Sequence, residues 1–237
     1  MITSREIAKM IDHSLLRPEL TVEDVTQGCK TAVEYSVISV CVKPADVALA
    51  AELLKDTDVL VTTVIGFPHG SSAPETKVFE TEKAIGDGAV EVDMVLNYGR
   101  LLSGESDYVE KEVRAVVDAA HKHNVIVKVI FENCYLTDEL KVEACKICDR
   151  AGADFVKTST GFGKGGATIP DLKLMRANCP PRMRIKAAGG VRTLDSALEA
   201  RAVGVSRFGA TATKAIMDEA VKREKEGTLK DIPAIVN

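Results

Sequence analysis

The chain has 237 residues, 46% of them apolar and 28% charged, with a net charge of −4 that gives no sign of a nucleic-acid surface. No apolar run is long enough to span a bilayer, and six cysteines are too sparse for a disulfide framework. The opening MITSREIAKMIDHS carries charges where a secretory leader needs its apolar core, so a cytoplasmic protein is expected.

A helix-like segment at 2–9 leads into a weak strand at 10–15. Short β-branched runs then recur at 38–43, 60–66, 90–97, 125–133, 155–159, 183–189 and 205–209. Between them, helical periodicity appears at 22–33, 46–54, 74–85, 108–121, 138–151, 194–202 and 213–225. Start signals stand at Thr21 with Asp24, Thr137 with Leu140 and Thr193 with Ser196, and stops at Gly86, Gly88, Gly152, Gly204 and Gly227. Eight strands alternating with helices predict an α/β fold, a closed (β/α)8 barrel over residues 1–237 as one domain. An open doubly wound sheet is the alternative, but no GxGxxG follows an early strand. Cys145 and Cys148 form a CxxC within helical sequence, with no second pair or nearby His ligand, and read as core thiols. No metal and no cofactor are expected.

Period-two alternation sorts the strand residues into faces. In 90–97, Val90, Val92, Met94 and Leu96 are apolar, opposite Glu91, Asp93, Val95 and Asn97. In 125–133, Lys128, Ile130 and Glu132 oppose Val127, Val129 and Phe131; in 183–189, Arg184, Lys186 and Ala188 oppose Ile185 and Ala187. Phe155, Lys157 and Ser159 share a face, with Val156 and Thr158 on the other. With the apolar faces against helices, Asp93, Lys128, Lys157 and Lys186 project into the barrel, where a purely structural interior holds Val, Ile and Leu. Each alone reads as half of a structural ion pair, but buried pairs seldom repay their desolvation, so the group points to chemistry.

Lys186 lies on the strand next to Lys157, and a neighbouring ammonium disfavours a second one. Moving a lysine from ~10.4 toward ~7 takes on the order of 4–5 kcal/mol, within reach of burial plus a like charge. A neutral Lys157 condenses with an aldehyde or ketone to a Schiff base, whose iminium accepts electrons from an adjacent carbon–carbon bond. Asp93, with water or Lys128, then moves protons. Glycines gather on the neighbouring loops: Gly161, Gly165 and Gly166 after the sixth strand, Gly189 and Gly190 after the seventh, and Gly209 leading through Ala210 and Thr211 into a helix. They either permit tight turns or let backbone N–H groups approach a phosphate; beside paired lysines, phosphate is favoured.

Eight blocks in order carry a resemblance: IDHSLL (11–16), SVCVKP (39–44), VIGFPHG (64–70), EVDMVLN (91–97), KVIFEN (128–133), FVKTSTGF (155–162), IKAAGGVRT (185–193) and RFGAT (207–211). On them the chain resembles the deoxyribose-phosphate aldolases, class I aldolases with a (β/α)8 fold. The resemblance implies reversible cleavage of 2-deoxy-D-ribose 5-phosphate to acetaldehyde and D-glyceraldehyde 3-phosphate, without a metal. It maps the Schiff-base lysine to Lys157, the second lysine to Lys186 and the proton relay to Asp93. Asp12, Cys41, Lys128, Thr158 and Thr160 are expected to support the site. It also implies small-molecule partners, a sugar phosphate and aldehydes, with no nucleic acid or membrane, and a homo-oligomer (dimer or tetramer). This chain departs from some members in three places: Phe162 stands where they have a lysine, Thr211-Ala212 where they have a serine pair, and PAIVN where they end in a tyrosine. Another Schiff-base aldolase or a transaldolase is the rival among enzymes. A silent sugar-phosphate-binding barrel is the rival outside them, and its signature would be loss of either lysine.

Overall fold

The computed structural model describes residues 2–235. Eight strands form a closed barrel: β1 (Ile11–Leu15), β2 (Ser39–Val42), β3 (Leu60–Ile65), β4 (Glu91–Val95), β5 (Ile126–Ile130), β6 (Phe155–Lys157), β7 (Arg184–Ala187) and β8 (Arg207–Ala210). Each pairs in parallel with its neighbours in sequence, and β8 pairs with β1. A parallel pair needs a crossover, and helices supply it: α2 (Val22–Glu34), α3 (Val47–Leu54), α4 (Pro74–Gly86), α6 (Ser106–His121), α7 (Asp138–Ala151), α8 (Ile169–Asn178) and α9 (Leu194–Ala202). The short α1 (Ser4–Ala8) precedes β1, α5 (Tyr98–Leu102) follows β4, and α10 (Thr213–Lys225) follows β8. The expected (β/α)8 barrel is therefore the architecture of the chain.

The caps read from sequence are made. Thr21, Thr137 and Thr193 accept the N–H groups of Asp24, Leu140 and Ser196, satisfying donors that a helix start leaves bare. Helix α8 lay outside the predicted segments; Thr168 caps it on Asp171 and Pro170 sits in its first turn, where a missing N–H costs nothing.

The alternation also sorts the faces as expected. Val92, Met94, Val127, Val129, Ile185 and Ala187 are all fully buried among the helices, and the larger ones each contribute about 1.5–3 kcal/mol. Cys145 and Cys148 are fully buried in the same layer, on α7. Among the described residues no helix is long and apolar enough to cross a membrane.

Candidate active site

The opposite strand faces bring seven charged side chains together inside the barrel: Asp12, Glu91, Asp93, Lys128, Lys157, Lys186 and Arg207, none more than 6% exposed. Strand register sets them side by side, with Asp93 opposite Lys128, Lys157 opposite Lys186, and Lys186 opposite Arg207. Lys157 Nζ donates to Asp93 Oδ2 at 2.7 Å, and Lys186 Nζ donates to the same oxygen at 2.7 Å and also to Asp12. Lys128 Nζ bridges Asp93 Oδ1 at 2.9 Å and Glu91 Oε2 at 2.6 Å. Arg207 closes the ring, donating to Asp12 Oδ1 at 2.7 Å and to both oxygens of Glu91 at 3.0 and 3.1 Å. Hydroxyls of Ser39 and Thr62 complete the shells of Asp12 and Glu91 at 2.7 and 3.0 Å.

Burial opposes the charge of every member, so the partners decide who stays ionised. Asp12, Glu91 and Asp93 are held below the ordinary carboxylate range, because the nearby cations outweigh burial. Lys128, Lys186 and Arg207 are held above their ordinary values, because for each of them the carboxylates outweigh burial. Among the four cations, Lys157 alone is pushed down. Burial is the largest cause, Asp93 opposes it, and the Lys186 ammonium adds to it. The difference follows from contacts: Lys157 touches one carboxylate, whereas each of the other three cations bonds to two. Three carboxylates against three cations leave the cluster neutral when Lys157 is uncharged. A fourth cation would bury an uncompensated charge. The like charge of Lys186, read from sequence as the lever on Lys157, is thus the smaller contribution, and desolvation the greater.

A cleft of about 470 Å³ opens over this cluster at the C-terminal ends of the strands, where active sites of this fold sit. Lys157 and Lys186 reach its floor with Asp12 and Cys41, and Thr160, Gly161, Gly189, Gly190, Gly209 and Thr211 line its walls. Asp93 and Lys128 lie beneath the floor, fully buried. Thr158 faces away, joining β6 to the end of β7 through Ala188 N–H at 3.0 Å and Ala188 O at 3.1 Å. Gly165 and Gly166 border an adjoining hollow of about 340 Å³ shared with Gly161, Gly189 and Gly190. The two glycine loops touch there: a side chain on Gly166 would meet Gly189 O at 2.2 Å. A second cleft of about 470 Å³, at the other end of the barrel between Ser4, Lys9, Ser36 and Asp58, holds none of the seven residues.

An apolar group adjoins the cleft, reaching it through Leu16, Cys41 and Phe162. Leu16, Cys41, Val64 and Phe67 form a cluster of their own, and Phe162 sets its ring edge-on to Phe67 at 5.3 Å. Burial, then the Asp93 charge, pushes the Cys41 thiol up to about 11, so it is protonated at neutral pH. Ala212 precedes α10 and gives its first turn no side-chain cap. At the chain's end, Ile235 N–H donates to Ala202 O at 2.8 Å, at the C-terminal end of α9; Val236 and Asn237 of the PAIVN ending lie outside the described residues.

Sequence reasoning passed over Arg207 and did not give Glu91 a role, although it turned Glu91 inward. Extending the alternation to β8 would have put Arg207 on the interior face, two residues before Gly209. The partners of both were not legible, since Arg207 reaches back 195 positions to Asp12 and 116 to Glu91.

Residues 6–214 match the family described as DeoC/LacD family aldolase. The deoxyribose-phosphate aldolase of Caldanaerobacter subterraneus subsp. tengcongensis is 53% identical over 214 residues, covering 90% of this chain and 93% of that one. That of Thermococcus gammatolerans is 49% identical over 221 residues, covering 92% and 98%. Among solved structures, the tetrameric deoxyribose phosphate aldolase of Aeropyrum pernix superposes with a TM-score of 0.86 at 30% identity, covering 92% of each chain.

Proposed function

The chain belongs to the DeoC/LacD family of aldolases, and we propose that it cleaves 2-deoxy-D-ribose 5-phosphate reversibly through a Schiff base on Lys157. The charge balance of the buried cluster carries this reading, because it is neutral only with Lys157 as a free amine at the floor of the cleft.

In the cleavage direction, Lys157 Nζ attacks C1 of the open-chain sugar, and loss of water leaves a protonated iminium. The C3 hydroxyl gives up its proton, C3 becomes a carbonyl, and the C2–C3 electron pair moves onto the iminium. D-Glyceraldehyde 3-phosphate leaves, the enamine takes a proton at C2, and water releases acetaldehyde. Asp93, ionised beneath the floor and hydrogen-bonded to Lys157 and Lys186, is assigned the proton relay and reaches the cleft through the nitrogens of those two lysines. Lys186 keeps its charge between Asp12 and Asp93 and keeps Lys157 from gaining one. Phosphate is assigned to the wall formed by Gly161, Gly189, Gly190 and Gly209, with Thr211 just before α10, whose uncapped N–H groups favour an anion.

We further propose a cytoplasmic enzyme, in keeping with six free thiols, acting as one barrel domain within a homo-oligomer (dimer or tetramer), as the tetrameric relative suggests. Condensation with glyceraldehyde 3-phosphate tests the reading: acetaldehyde should serve as donor and dihydroxyacetone phosphate should not. The reverse preference would assign the site to a different Schiff-base aldolase.

A further inference from the structure

Glu132 takes no part in the chemistry above, yet its conformation is unusual. Among the described residues three non-glycines hold a positive φ, and Ser36 and Asn124 stand before strands β2 and β5, at the opposite end of the barrel. Glu132, at φ 55° and ψ 62°, stands at the cleft end, just beyond β5. Its neighbours explain the distortion. Phe131 N–H donates to Lys157 O at 3.0 Å and Asn133 N–H to Thr158 O at 2.9 Å, so two residues on one side span a single step on the other. Glu132 is the extra residue of a bulge, a device that re-aims a side chain.

The bulge aims a carboxylate at the loop that follows Lys157. Glu132 is 2% exposed, and among the described residues it forms no ion pair, unlike Asp12, Glu91 and Asp93. Its oxygens accept instead from Thr160, from the backbone N–H at 3.2 Å and from the hydroxyl. Thr160 Oγ1 in turn accepts the N–H of Phe162 at 3.0 Å. The loop is moulded to the carboxylate: a side chain on Gly163 would come within 2.9 Å of Glu132 Cδ. Burying a carboxylate without a cation is costly, and here the compensation is a fixed course for Thr160–Phe162, one wall of the cleft.

We infer that Glu132 is a positioning residue, which holds the Thr160–Phe162 wall in place and so sets affinity for the phosphorylated end of the substrate. The inference rests on the reading that phosphate lies against Gly161, between Thr160 and Phe162. Glu132→Gly tests it best, because glycine takes the left-handed backbone without strain while the side chain that carries the carboxylate is removed. KM for 2-deoxyribose 5-phosphate should rise roughly tenfold or more, with kcat within about threefold and KM for free 2-deoxyribose nearly unchanged. Glu132→Gln, which keeps the length and one acceptor, should fall between this variant and the parent. Hydrogen exchange on the unliganded protein should speed at the amides of Thr160 and Phe162 and stay slow in β5 and β6. Equal losses on both sugars, a fall in kcat with KM intact, or unaltered kinetics would each overturn the inference, as would unaltered exchange. The exchange arm needs no substrate. If the parent protein fails to cleave the sugar phosphate, the functional reading falls, while exchange still decides whether Glu132 holds the loop.

Discussion

Replacing Lys186 with methionine isolates the electrostatic control of Lys157. Both lysine nitrogens lie 2.7 Å from Asp93 Oδ2, so they are no more than about 5.4 Å apart, the sum of those two distances. Two unit charges about 5 Å apart, at an effective dielectric constant near 20, repel by about 3 kcal/mol. Removing that repulsion raises the pKa of Lys157 by about two units. Asp93, relieved of one cation, then holds a proton on Lys157 more strongly, which acts in the same direction. Below its pKa, the free-amine fraction of Lys157 falls about 100-fold and kcat/KM falls with it. The sign follows: a raised pKa moves the ascending limb of the profile to higher pH, so residual activity should climb about tenfold per unit and keep climbing where the parent has levelled. The assay is kcat/KM from pH 6 to 10, with melting curves to confirm folding, since Asp12 and Asp93 lose a buried partner. Lys186→Arg restores a charge of the wrong shape and should recover little. A methionine variant with a near-normal rate and an unshifted profile would show that Lys186 does not control the charge of Lys157.

Thr211→Asp puts a carboxylate two residues before α10, on the cleft wall, and should weaken the phosphorylated sugar at least tenfold while sparing free deoxyribose; equal KM losses would move the phosphate elsewhere. Lys157→Ala removes the nucleophile and should bring turnover to background, measured by acetaldehyde release. His13 Nδ1 lies 2.8 Å from Thr213 Oγ1, and burial holds the imidazole down at about 4 against an ordinary 6.5. The unfolded chain takes up this proton as pH falls through 6.5 and the folded chain does not until about 4. Stability from neutral His13 is therefore complete above 6.5 and is lost between 6.5 and 4, on the order of 3 kcal/mol in all. Urea midpoints for the parent should fall across that window, and those of His13→Phe should fall less; parallel curves would contradict the assignment.

Much of the barrel was legible because its two faces differ so sharply in chemistry. VEVDMV announces an inward Asp93 by surrounding it with residues that belong against helices, and Thr137 announces a helix because its hydroxyl caps Leu140. Three lysines and an aspartate could thus be turned inward from alternation alone. Their pairing could not, since Arg207, Asp12 and Glu91 meet only when the first and last strands close the barrel. Alternation overran at the end of β5, where beyond Ile130 the bulge turns Glu132 out of the pattern. At the end of β6 it held, setting Thr158 on the face opposite Lys157, where its side chain is spent on β7 and not on the cleft in which the resemblance had placed it. Local pattern does not register such bonds, which depend on what the neighbouring strand offers.

Borohydride reduction in the presence of acetaldehyde, followed by peptide mass mapping, captures a Schiff base on Lys157. A two-carbon adduct should form on Lys157, stoichiometric with loss of activity and absent from Lys157→Ala. A reproducible adduct on Lys186 instead, or inactivation with no adduct on either lysine, would contradict the role given to Lys157.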